Sequence, residues 1–242
     1  MRIMKKKKKH LVIGLGEVGK AVKIVLAKKY SVDGIDRNSP KLSGRYDVLH
    51  ICFPYSKKFN SMVTAYKKKY GTQNCLVIIH STVPVGTTTK AKAVHSPIRG
   101  IHPFLAEGVK TFTKYCGGAR ADEAAEIFSA LGIKTKTTPK AENTEALKLW
   151  DTTIYGWNIL IEKEIHDFCK THGLDFSLVY TDANQSYNRG YAALGHPEFK
   201  KFILKHMDGK IGGHCIIPNC QLLGTEIPKF ILKQNRKLHP HT

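Results

Sequence analysis

The chain has 242 residues, enough to bury one large core or two modest ones. Hydrophobic residues make up 42% and charged residues 24%, the balance of a globular protein, which excludes disorder of the whole chain. The net charge of +20 is large, but it rests mostly on lysines scattered in short runs, arginine is scarce, and no RNA-binding aromatic motif, zinc-finger spacing or basic heptad accompanies it, so nucleic acid is not the expected partner.

His10 to Gly14 reads as a first strand. The lysines before it imitate a signal peptide, but the apolar stretch is too short and Glu17 and Lys20 interrupt it. Val18 to Lys29 reads as a helix with Val18, Val22, Val25 and Leu26 on one face. Ser31 to Asp36 reads as a second strand, ended by Asp36-Arg37-Asn38-Ser39-Pro40. Val48 to Phe53 follows as a strand, Lys57 to Tyr70 as a helix, and Cys75 to His80 as a strand of the buried type. A short strand is expected near Arg99 to His102, a helix from Ala121 to Leu131, and a strand from Ile133 to Thr137. Past Thr137-Thr138-Pro139 the alternation stops. Ala141 to Cys169 reads as one long helix, with further helices from Phe176 to Ser186 and from Pro197 to Met207. No run reaches the roughly 20 apolar residues of a membrane helix, so a cytoplasmic protein without a membrane partner is expected. Cys52, Cys75, Cys116, Cys169, Cys215 and Cys220 show no disulfide-framework spacing and are expected as thiols.

Strands alternating with helices imply a parallel sheet covered on both faces. Gly14-Leu15-Gly16-Glu17-Val18-Gly19 stands where such a sheet binds a dinucleotide, after a strand and opening a helix. Gly14 permits the tight turn, Gly16 lets backbone approach a pyrophosphate, and Gly19 lets the helix pack on the sheet. Asp36 closes the second strand, where a carboxylate accepts hydrogen bonds from a ribose hydroxyl and repels a 2′-phosphate, favouring NAD over NADP. Arg37 beside it argues the other way, since a guanidinium pairs with phosphate. The expected fold class is therefore α/β: a doubly wound parallel Rossmann sheet over residues 1–140, then a smaller all-helical domain over residues 141–242 serving substrate binding and dimerisation.

Several segments together resemble the UDP-glucose and UDP-N-acetylmannosamine dehydrogenase family. They are Tyr46 through Phe53 and Pro54, Ser81-Thr82-Val83-Pro84-Val85-Gly86-Thr87-Thr88, His102 through Glu107 and Gly108, Glu145-Ala146-Leu147-Lys148, and Gly212-Gly213-His214-Cys215-Ile216. The resemblance implies two successive oxidations of a primary alcohol to an acid, with a Rossmann cofactor domain that includes Phe53, Pro54, Ser81 and Thr82. Lys148 would steady the alkoxide or take its proton. Cys215 would add to the aldehyde and carry a thioester to hydrolysis. Thr82 and Glu107 would position water or substrate. Two positions depart from the family: Thr152 stands for its asparagine four residues after the lysine, and Asn219 for its aspartate four residues after the cysteine. The family also continues well beyond the cysteine into a second Rossmann-like domain, so the chain reads as a truncated form, expected to pair as a homodimer through the long helix.

Other readings stay open. The related β-hydroxyacid dehydrogenases share the Rossmann domain, helical domain and helix lysine, perform a single oxidation without a cysteine, and have a substrate loop that Ser96-Pro97-Ile98-Arg99-Gly100 echoes. A non-catalytic NAD-binding or partner-binding relative is the third. Cys215 has the alternative of a buried structural thiol, and Lys148 that of a snorkelling surface lysine. His214, Cys215, Cys220, His239 and His241 match no standard zinc spacing, so no metal is expected. His80, His95 and His102 stand at strand ends, one as a candidate substrate contact; Trp150, Tyr155 and Trp157 read as packing.

Overall fold

The computed structural model describes residues 8–40, 42–100, 103–213 and 215–238. It divides into two compact units, up to Lys148 and from Leu149 onward.

The first unit is a seven-stranded sheet in the order β2-β1-β3-β4-β5-β6-β7. Its strands are β1 (Lys9–Ile13), β2 (Ser31–Ile35), β3 (Tyr46–Ile51), β4 (Gly71–Ile79), β5 (Val94–His95), β6 (Lys114–Gly117) and β7 (Thr135–Thr138). The strands from β2 to β5 are parallel, whereas β6 opposes β5 and is parallel to β7. The helices here are α1 (Glu17–Leu26), α2 (Phe59–Tyr70), the short α3 (Thr87–Lys90), α4 (Leu105–Thr111) and α5 (Ala121–Ser129). Strand side chains alternate between faces. Val12, Val48, Leu76 and Ile78 therefore pack with Val22, Val25, Leu26 and Phe128 on one side, while Leu11, Ile13, Leu49, Ile51, Val77 and Ile79 meet Phe59, Val63 and Tyr70 on the other.

One strand expectation needs correction. Arg99 and Gly100 are not a strand: Gly100 has φ +140°, and both residues press against Gly108 of α4, where an added Cβ would come within 2.7 Å of the Arg99 carbonyl oxygen. Ile101 and His102 lie outside the described residues. The strands of that region are β5 and β6, which are only two and four residues long and too short to show a period.

α6 (Ala141–His172) crosses the division between the units. The second unit continues with a π-helical turn at Ser177–Asp182 running into α7 (Ala183–Ala193), then α8 (Ile216–Leu223) and α9 (Glu226–Lys237). Asp175 starts the π-helical segment by accepting the Ser177 and Leu178 N–H groups at 2.8 and 3.3 Å. The helix expected from Pro197 to Met207 shrinks to one 3-10 turn, Pro197–Phe199. Tertiary partners take the backbone that a helix would have used. Asn188 brackets Lys201, the Tyr180 hydroxyl accepts the Leu204 N–H, and Lys163 donates to the Met207 carbonyl. Gly156, the lone break in the α6 pattern, admits Ile216: a Cβ there would lie 2.6 Å from an Ile216 methyl. Ile211, Ile216, Cys220 and Ile231 complete this small core with Trp157 and Leu160.

Candidate active site

The chain leaves β1 for β2 on one side and returns to β3 on the other, so the crevice at the carboxyl ends of β1 and β3 is the topological switch point. The glycine loop sits there, and its three glycines have separate duties. Gly14 has φ +93°, and a Cβ on it would be 2.8 Å from the Phe53 nitrogen. A Cβ on Gly19 would fall 1.8 Å from the Gly14 carbonyl oxygen, so these two glycines are demanded by the loop itself. A Cβ on Gly16 would meet no atom within 4 Å. Nothing in the loop's own packing calls for a glycine at this place; a ligand laid on the backbone would.

Gly16 begins α1, and no side chain caps the helix. The opening amides, those of Glu17 and Val18 among them, have no intrahelical acceptor and carry the positive end of the helix dipole. Asp36 lies exposed just past β2, oriented by the Leu15 N–H on Oδ2 at 3.1 Å and the Arg37 N–H on Oδ1 at 2.8 Å. Each oxygen keeps a second lone pair for a ligand hydroxyl. These residues suit a dinucleotide: donors for phosphate, an open backbone position at Gly16, and an anchored acceptor for a ribose.

The ends of β3 and β4 form the adjoining wall. Phe53 packs on Phe59 and Tyr66, and Pro54 is exposed. Ser81 is buried and donates to the Phe53 carbonyl at 2.6 Å, bracing one strand end against the next. Thr82 follows half-buried. Lys148, also half-buried, is near enough for its charge to help depress the pKa of both His95 and Lys114. Glu107 is exposed in the first turn of α4, where its charge reaches Lys28 beyond the C-terminal end of α1, the end away from the glycine loop. The structure does not bring it to the loop.

In the second unit Cys215 is exposed immediately before α8. One turn later Asn219 is buried and donates its amide to the Thr152 hydroxyl at 3.1 Å. The two departures from the family pattern are thus partners of each other, joining α8 to α6 without a carboxylate. All six cysteines are unpaired. Among the described residues no group of three or more metal-ligating side chains is placed to hold an ion; His214, His239 and His241 lie outside them.

Beneath the site runs a polar chain that the sequence reading missed. His10 Nδ1 meets His50 Nε2 at 2.9 Å, His50 Nδ1 meets His80 Nε2 at 3.0 Å, and His80 Nδ1 meets the Ser96 carbonyl at 2.6 Å. The carbonyl only accepts, so His80 carries its hydrogen on Nδ1, and the same tautomer then propagates to His50 and His10. The chain ends on His10 Nε2, a buried atom with no partner. Lys114, only 3% exposed, donates to the Ser96 and Pro97 carbonyls at 2.7 and 2.8 Å. Burial pushes His10 down to about 4, His50 and His80 well below the usual imidazole range, and Lys114 down to about 7. His80 and His95 are thus internal braces: His95 is fully buried between the Thr144 hydroxyl and the Ser81 carbonyl. The available signal was a histidine on a core-facing position in each of β1 and β3.

This sheet, with the glycine loop at its switch point and a helical unit after it, defines a Rossmann-type α/β fold. No family model and no curated protein matches the sequence. Among solved structures, the UDP-D-ManNAc dehydrogenase of Pyrococcus horikoshii superposes with a TM-score of 0.75 at 20% identity, over 95% of this chain and 68% of that one. A UDP-glucose dehydrogenase from Pyrobaculum islandicum gives 0.70 at 17% identity, over 98% of this chain and 70% of that one. The 3-hydroxyisobutyrate dehydrogenase of Mycobacterium tuberculosis gives 0.68 at 13% identity, over 96% of this chain and 94% of that one. The chain thus has the fold of the nucleotide-sugar dehydrogenases and spans about two thirds of their length. No helix among the described residues is long and apolar enough to cross a membrane.

Proposed function

We propose that the chain is an NAD-dependent dehydrogenase acting on an alcohol carbon of a sugar-like or carboxylated small molecule. The observation that carries this reading is the uncapped start of α1 at the strand-order switch, with Gly16 facing open space and Asp36 anchored beside it. The amides of Glu17 and Val18 would hold the phosphates, and Asp36 the adenosine ribose. Phe53, Pro54, Ser81 and Thr82 would wall the nicotinamide half. When bound, NAD supplies the hydride acceptor. Lys148 takes the alcohol's proton or holds the alkoxide, a role suited to a half-buried ammonium. The Asp36 charge opposes a 2′-phosphate. Fluorescence titration with NADH and NADPH tests this directly: NADH should bind at least about tenfold more tightly, and Asp36→Ser should narrow the gap. Tighter NADPH binding refutes the selectivity, and binding of neither refutes the reading.

The number of oxidations divides two versions. A four-electron oxidation needs Cys215 to add to the aldehyde as a thiohemiacetal, whose carbon would give up a second hydride to a second NAD and become a thioester that water cleaves to the acid and the free thiol. A single oxidation, of the β-hydroxyacid type, is favoured by the amide–hydroxyl pair Asn219–Thr152 where a carboxylate would assist hydrolysis, and by the near-complete overlap with the hydroxyisobutyrate enzyme. Cys215→Ser leaves a one-step enzyme at its normal rate and stalls a two-step enzyme after the first NADH. Tight NAD binding without turnover on hydroxy acids, sugars or sugar nucleotides would leave the non-catalytic reading.

A homodimer through α6 belongs to the same reading. Trp150, Ile154, Ile161 and Phe168 are exposed along α6, the last three at heptad spacing, which suits pairing with a second helix. Light scattering giving a monomer mass would refute it.

A further inference from the structure

The loop after β4 is fastened to the start of α6 at both ends. Glu145 is fully buried, and its two carboxylate oxygens accept separate amides, Oε2 from Gly86 at 2.6 Å and Oε1 from Thr88 at 2.7 Å. At the other end of the loop, His95 bridges the Ser81 carbonyl and the Thr144 hydroxyl. A buried carboxylate is costly unless donors surround it, and here they are supplied by the turn that opens α3. The fastening uses two separate acceptor oxygens on one side chain, which a carboxylate offers and an amide, with one oxygen and one NH2, does not.

Glu145 stands three residues before Lys148, and residues at that spacing share a helix face. Lys148 acts electrostatically on His95, the residue that holds the near end of the loop. One turn of α6 therefore carries both the clamp on the Ser81–Thr88 loop and the lysine assigned to the reaction.

We propose that Glu145 is a positioning residue: it fixes the Ser81–Thr88 loop relative to Lys148, so that the loop wall beside the cofactor and the proton-handling lysine form one rigid frame. This rests on the dehydrogenase reading. Glu145 acts through the Gly86 and Thr88 amides, and its removal alters how the nicotinamide is held without removing a cofactor contact.

The test uses the full chain and NADH as probe, at a temperature where circular dichroism shows each variant folded. Glu145→Gln keeps the shape but turns an NH2 donor against one of the two amides. Expected are a five- to tenfold rise in the NADH dissociation constant and a shift of bound-NADH emission toward that of free NADH. Glu145→Asp keeps both acceptors on a shorter stem, so its affinity falls between wild type and Glu145→Gln. A purely structural role would lower the melting temperature and leave affinity and emission of the folded variant as in wild type; that result overturns the proposal. If Glu145→Gln does not fold, Glu145→Asp decides, with unchanged affinity and emission counting against the proposal. Wild type failing to bind NADH is a separate outcome: it removes the dehydrogenase reading, and the proposal with it.

Discussion

Lys114 gives the most quantitative test of the buried network. Its ammonium lies within a sheet face, donates to two carbonyls, and sits 3.4 Å from His80 Nδ1. Burial lowers its pKa from 10.5 to about 7. Between those values the unfolded chain holds a proton that the native lysine has released, so native stability rises with pH across the window. The limiting slope is about 1.4 kcal/mol per pH unit, or on the order of 4–5 kcal/mol over the whole window. The buried histidines extend the trend downward. Each is held neutral in the native state, so stability falls further as pH drops below 6.5 and the unfolded histidines take up protons. Lys114→Met removes the upper part alone. The experiment is urea unfolding followed by circular dichroism at pH 6, 7.5 and 9. The wild-type midpoint should climb from 7.5 to 9 much more steeply than that of Lys114→Met. General relief of repulsion among the other lysines is common to both proteins and cancels in the comparison. Parallel midpoints in the two proteins would refute the reasoning.

Further outcomes follow from single contacts. Gly19→Ala must displace the Gly14 carbonyl and should cost several kcal/mol in denaturation, whereas Gly16→Ala should leave stability within about 1 kcal/mol and weaken NADH at least about tenfold. His50→Leu leaves His10 Nδ1 and His80 Nε2 without partners and should cost about 2–4 kcal/mol, read as a lowered melting temperature. A double-mutant cycle on Asn219→Ala and Thr152→Ala should show a coupling of about 1 kcal/mol, and additive losses would deny the bond any energetic role.

The first unit was legible because its sequence repeats simple periods. Leu11 and Ile13 against Val12, and Val22, Val25 and Leu26 along α1, announce which face each residue buries. The glycine loop was legible because each glycine has a steric or approach-based reason. The second unit was less so. Pro197 to Met207 carry a helix-like pattern, yet Glu162 takes His206 at 2.7 Å, and Asn188 and Tyr180 hold the backbone open. Such contacts span 13 to 44 residues in sequence and leave no local trace. Glu145 was visible only as part of a motif, since nothing in its neighbours says that Gly86 and Thr88 will face it.

The buried lysine itself follows from the sheet's change of direction. Along the parallel strands each carbonyl is met by the next strand, as when Ser96 N–H reaches the Ile79 oxygen. β5 is two residues long, and β6 opposes it with a single registered pair, His95 with Gly117. The carbonyls of Ser96 and Pro97 therefore run on past the ladder while still inside the protein, and a buried acceptor without a donor costs roughly 1–3 kcal/mol. β6 starts beside them with Lys114, whose ammonium supplies donors to both, and His80 supplies another to Ser96. Once His80 gives its hydrogen to that carbonyl, its other nitrogen must accept, which requires His50, and His50 in turn requires His10. The orphan ends up at His10 Nε2. A backbone irregularity where β6 reverses against β5 is thereby passed across three strands, β4, β3 and β1, as a hydrogen-bond deficit.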